Sequence, residues 1–133
     1  MESNNMCKWI PFEDININYN VDDVKIENGE FVVILNPDIA NRKLTNEMSS
    51  ILIRFDSFIC YQVTKESFRE DWWISDRNSA WSFYKNSQSE YIQSMKSKCE
   101  LFPCDIVHYT FVGASLIVDV IVETKTNITV TKI

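Results

Sequence analysis

Apolar and polar residues alternate along most of this chain with the period of a strand. From Ile51 to Val63 the odd positions read Ile51, Ile53, Phe55, Ser57, Ile59, Tyr61 and Val63, while the even ones include Arg54, Asp56 and Gln62. Successive strand residues point to opposite faces, so this pattern predicts one long strand with a bend near Asp56-Ser57. Upstream, Val24-Lys25-Ile26-Glu27 runs into Asn28-Gly29 and then Glu30-Phe31-Val32-Val33-Ile34-Leu35. Asn-Gly supplies the positive φ angles of a tight hairpin turn. Because Phe31 to Leu35 is apolar on both faces, the second strand of that hairpin is expected to be internal, while the first can keep one wet face. Asn36-Pro37-Asp38 ends the hairpin, since proline cannot donate to a ladder.

The segment Lys65 to Ala80 interleaves charges with Phe68, Trp72 and Trp73, holds neither period, and reads as a long irregular connection. Trp81 to Tyr84 is a short strand by pattern. Ser87 followed by Glu90 has the spacing of a capping box, and Tyr91, Ile92 and Met95, with Cys99 beyond, then share a helical face. A helix from about Gln88 to Lys98 is expected, stopped before Pro103. Ile106 to Val112, Leu116 to Glu123 and Asn127 to Lys132 are strand-like. The pattern predicts an α+β domain: a mostly antiparallel β-sheet of about six to seven strands with one main helix (about 88–98) packed on it. A curved sheet or a sandwich is the alternative.

The length of 133 residues suits one domain, 1–133. An apolar fraction of 45%, with only two glycines and three prolines, sets the chain apart from disordered and low-complexity sequences. Net charge is −6, and five of the six units arise within residues 1 to 30, where Glu2, Glu13, Asp14, Asp22, Asp23, Glu27 and Glu30 face only Lys8 and Lys25. Such a field repels nucleic-acid phosphates and anionic lipids and attracts basic proteins. No basic start with an apolar run opens the chain, and no apolar stretch approaches about 20 residues, so neither export nor a membrane span is expected. The expected location is the cytoplasm, with Cys7, Cys60, Cys99 and Cys104 as reduced thiols and the sequon at Asn127 without meaning.

The candidate chemistry is sparse. His108 is the only histidine, and its strand would adjoin the one carrying Asp119, which makes His108 and Asp119 a candidate enzyme or ligand site. A strand histidine is more often a hydrogen-bonded structural group. Cys99 and Cys104 lack a CxxC or a second histidine beside them, so no metal site is expected. Gly29 and Gly113 stand far apart, which rules out the glycine-rich phosphate loops of nucleotide cofactors. The stretch Ser67 to Arg77 combines tryptophans, arginines and acids, residue types that anchor protein interfaces; core tryptophans closing a sheet end are the alternative.

Trp81 to Ile92 (W-S-F-Y-K-N-S-Q-S-E-Y-I), His108 to Phe111 (H-Y-T-F) and Ile117 to Ile121 (I-V-D-V-I) together resemble a group of small bacterial proteins. Their pattern is an aromatic strand, Ser-x-Tyr opening a helix, then His-Tyr or His-Phe, then Asp-Val. Ser89-Glu90-Tyr91 and Asp119-Val120 fit it. These proteins look like the immunity proteins that accompany polymorphic toxins, which implies a non-enzymatic module that binds and neutralises a toxin domain inside the cell. On this expectation Asp22, Asp23, Glu70, Asp71 and Asp76 meet a basic partner with Trp72 and Trp73 as anchors, and no cofactor is needed. The competing expectations are an enzyme or ligand-binding domain at His108 and Asp119, and a homodimer formed through an exposed sheet edge.

Overall fold

A computed structural model describes residues 7–13, 19–37, 49–68 and 81–133. Among them are nine strands and one α-helix: β1 (Cys7–Lys8), β2 (Tyr19–Glu27), β3 (Glu30–Pro37), β4 (Ile51–Phe55), β5 (Cys60–Lys65), β6 (Phe83–Asn86), α1 (Glu90–Lys98), β7 (Ile106–Val112), β8 (Leu116–Glu123) and β9 (Ile128–Lys132). The α+β class stands, with more strands than the six or seven expected. They divide between two antiparallel sheets, β1-β6-β7-β8-β5 and β2-β3-β4-β9.

The Asn-Gly hairpin forms as its sequence requires. Asn28 (φ 53°) and Gly29 (φ 81°) both take positive φ, and Glu27 pairs with Glu30 across the turn. β3 is internal, between β2 and β4. Phe31, Val33 and Leu35 face the second sheet, while Val32 on the opposite face is also fully buried.

The stretch Ile51 to Val63 is two strands in different sheets, which corrects the expectation of one bent strand. Asp56-Ser57 is the crossing point. The Asp56 carboxylate accepts from Asn127 N (3.1 Å) and Asn127 Nδ2 (3.1 Å), and Asp56 N donates to Asn127 O (3.0 Å), closing off β4. Three residues later Ile59 N donates to Ile121 O and the chain has joined the other sheet. Both strands turn their odd-numbered residues toward the same inter-sheet space, although at the crossing Phe58 packs on that core and Ile59 on the helix side.

That space is the main core. β3 and β4 contribute Phe31, Val33, Leu35, Ile51, Ile53 and Phe55; the five-stranded sheet contributes Phe83, Tyr109, Phe111, Val118, Val120 and Val122. Phe55 lies centrally, its ring centroid 5.3 Å from that of Tyr109, 6.1 Å from Phe31 and 6.2 Å from Phe111. Trp9, just after β1, closes one side against Phe83, Tyr109 and Phe111. A polar rivet joins the sheets at one end: the buried Ser82 hydroxyl accepts from Tyr19 N (2.9 Å) and donates to Tyr19 O (3.0 Å).

The helix covers the outer face of the five-stranded sheet, where Ile92 packs on Ile106 and Ile121 with Tyr91, Met95 and Phe102 around them. It starts at Glu90, two residues later than expected, and its cap is Ser89, not Ser87. The Asn86 side chain accepts from Gln88 N (2.7 Å), which holds a turn ahead of the helix. Ser89, with extended φ/ψ, then accepts from Ile92 N (3.2 Å). No helix among the described residues is long and apolar enough to cross a membrane.

Two stability measurements check this account. Denaturant unfolding of Phe55→Ala is expected to show a loss of about 3–5 kcal/mol, the range for emptying a large aromatic site in a close-packed core. Gly29→Ala, which puts a Cβ at positive φ in open space, is expected to cost about 1 kcal/mol through backbone strain alone.

Candidate functional site

The structure brings His108 and Asp119 together, and it adds residues that the strand pattern alone did not join to them. In the β7–β8 register His108 is opposite Ile121 and Thr110 is opposite Asp119, so the pair meets diagonally on the outer face beneath α1. His108 Nε2 lies 2.6 Å from Asp119 Oδ1. Thr110 Oγ1 donates to the same oxygen (2.8 Å) and lies 2.9 Å from Nε2. Gln62, on β5, donates from Nε2 to Asp119 Oδ2 (3.1 Å). On the other side of the imidazole, Nδ1 is 2.7 Å from Ser89 Oγ, the helix cap.

The donors and acceptors fit together without remainder. With Nε2–H directed at Asp119, Nδ1 accepts the Ser89 hydroxyl proton, and Ser89 Oγ still accepts the amide of Ile92. Buried polar groups are tolerated only when satisfied in this way. Tyr91 completes the wall: its ring stands edge-on to the imidazole, centroids 5.1 Å apart at 67°, and its hydroxyl donates to Cys60 Sγ (3.7 Å). Burial pushes the Tyr91 hydroxyl far above its ordinary pKa, helped by the Cys60 contact and by the Cys60 and Asp119 charges. Burial likewise raises the Cys60 thiol, with the Tyr91 hydrogen bond partly offsetting it.

Serine, histidine and aspartate thus form a hydrogen-bonded line of the kind used for nucleophilic catalysis. The line is closed off from solvent. Ser89 and Asp119 are 0% exposed and His108 1%, and the Ser89 oxygen is committed to the start of α1. A substrate would have to lift the helix to reach it. No protein-family model, curated protein or solved structure matches this chain.

The acidic candidates are placed differently. Asp22 and Asp23 are both exposed at a break in register of β2, which is an edge strand of its sheet. Asp23 Oδ1 accepts from Val24 N (2.9 Å). Further along the hairpin, Glu30 and Glu27 face Arg54 Nη1 at 2.6 and 3.8 Å, and Lys25 lies 3.6 Å from Glu27. Glu70, Asp71, Trp72, Trp73 and Asp76 lie outside the described residues. Among the described residues, no group of three or more His, Cys, Asp or Glu side chains is arranged to hold a metal ion.

Ser89, Thr110 and Gln62 were the members missing from a reading based on strand periodicity. A signal for Thr110 was present in the sequence: His108, Thr110 and Asp119 are polar residues at same-face positions of two otherwise apolar strands. Such a stripe must be satisfied inside the protein.

If the network ties the helix to the sheet, its members should not act independently. Ser89→Ala removes both the cap and the partner of Nδ1, with an expected cost of about 2–4 kcal/mol in denaturant unfolding. Paired with His108→Ala in a double-mutant cycle, it should give a coupling of about 1 kcal/mol or more, whereas simple additivity would contradict the shared bond. Alkaline titration checks the burial of the phenols. Tyr19, Tyr91 and Tyr109 all have raised pKa values, so the unfolded chain loses their protons near pH 10 while the native state retains them. Stability should therefore be intact below pH 10 and fall as pH rises beyond it.

Proposed function

We propose that this chain is a non-enzymatic protein-binding module of the immunity type, acting in the cytoplasm by covering a basic toxin domain. The observation that carries this reading is the closure of the Ser89–His108–Asp119 line. The sole imidazole of the sequence is used up in fastening α1 to the sheet, so the outer surface is left to make contacts. The net charge of −6 supports a cationic partner, and Asp22 and Asp23 stand in solvent on an edge strand, where they can steer one. The resemblance adds the toxin as the expected partner class. Its three segments carry Ser89, His108 and Asp119, so in this reading they are marks of a scaffold. Glu70, Asp71 and Asp76, with Trp72 and Trp73 as anchors, are the remaining candidates for the contact surface.

The test is co-expression of the tagged chain with the toxin domain encoded immediately upstream of its gene. Stable co-purification and loss of toxicity are expected. Reversing charge with Asp22→Lys and Asp23→Lys should slow association by at least about tenfold at low salt, and much less at high salt where screening shortens the field's range. A gene with no toxin neighbour, or a toxin unaffected by an excess of the folded chain, would remove the proposal. So would a hydrolytic activity abolished by Ser89→Ala in a protein that remains folded.

A further inference from the structure

Among the described residues the two sheets leave four edges, and they differ in how they are guarded. β1 is two residues long, and β2 carries a register break with two exposed aspartates; both devices discourage strand pairing. β9 alternates half-buried Ile128 and Val130 with exposed threonines. β5 is different. Tyr61 and Val63 are 42% and 44% exposed, although the register with Val120 and Val118 turns them toward the inter-sheet side.

The β5 backbone is also open in a regular way. Glu66 N donates to Ser115 O, extending the β5–β8 register by one pair, so the hydrogen-bonded pairs fall at Gln62, Thr64 and Glu66. The amides and carbonyls of Tyr61, Val63 and Lys65 therefore point away from β8 and have no partner among the described residues. Beside them the sandwich opens. The Tyr61 ring is 5.1 Å from Phe31, whose cross-strand neighbour Ile26 is 47% exposed, and Phe68, just past β5, is 77% exposed.

β2 borders the same opening. One end is fixed where Asn20 and Val21 touch Gly113, in the β7–β8 turn that also holds Glu66 through Ser115, and the other at Ile26 beside Phe31 and Tyr61. Asp22 and Asp23 lie on β2 between those points. A strand edge without a partner among the described residues, an apolar strip and an acidic border thus occur together.

We propose that β5 is a strand-addition site for an extended, basic segment of a partner protein, one whose apolar side chains cover Tyr61 and Val63 while its Lys or Arg side chains answer the acidic border. Main-chain hydrogen bonds would supply affinity, and alternate side chains specificity. Charge favours this occupant over a second copy of the chain: two copies carry −6 each, and β5 itself offers a single cation, Lys65. The proposal rests on the binding reading above and adds the place and mode of contact.

Amide hydrogen exchange on the full chain reads it directly, using as probe a nine-residue peptide alternating valine and lysine. The Tyr61, Val63 and Lys65 amides should gain at least tenfold protection, those of Gln62 and Thr64 should change little, and a valine–glutamate peptide should have no effect. Val63→Pro, which removes an outward-pointing N–H that β8 does not use, should leave the fold intact and weaken peptide binding at least tenfold. Absence of protection at millimolar peptide, or binding that protects other amides, would overturn the proposal. Protection of Tyr61, Val63 and Lys65 in the chain alone, growing with its concentration, would instead assign the edge to a second copy. If the toxin domain still binds Val63→Pro at full strength, strand addition fails while the immunity reading survives. If it binds neither form, the reading itself fails.

Discussion

A carboxyl group can sit in the middle of a sheet covered on both faces only when each of its oxygens has a donor. Asp119 is in that position, on a strand whose neighbours in sequence, Val118 and Val120, face the opposite sheet. Its oxygens are met by Gln62 from β5, Thr110 from β7 and the imidazole of His108, which in turn reaches the cap of α1. Four elements are thereby held in register around one side chain. Remove it, and the buried donors His108 and Thr110 lose their acceptor together, each at a cost of about 1–3 kcal/mol.

The arrangement explains how a small helix of nine residues stays in place. A helix this short is marginal by itself and depends on docking. Its apolar contacts, chiefly Ile92 on Ile106 and Ile121, are not directional, whereas the bond from Ser89 to His108 fixes both the first turn and its orientation. The same oxygen serves helix and sheet, so local capping and tertiary packing are satisfied by one atom. The histidine that fastens the helix is itself buried.

At the periphery the two sheets differ. The four-stranded sheet presents charge along β2, and the five-stranded sheet presents backbone and apolar surface along β5. Each alone is ordinary: charged edges prevent aggregation, and scattered exposed apolar residues are common. Under the strand-addition proposal, their meeting at one opening of the sandwich gives them a joint use.

The sequence by itself determined what depends on neighbours along the chain. Strand propensity marked β7 and β8 to the residue, Asn28-Gly29 fixed the hairpin, and the run Phe31 to Leu35 required an internal strand, because these are consequences of local side-chain character and of backbone φ. Tertiary structure decided what depends on distant partners. The odd positions from Ile51 to Val63 read as one strand, yet Asn127, some seventy residues away, ends β4 at Asp56 and lets the chain change sheets. The capping-box spacing to Glu90 favoured Ser87, yet the cap is Ser89, the serine that also reaches His108. Which edge of a sheet remains open is likewise invisible to alternation, since pairing is a relation between strands and not a property of either.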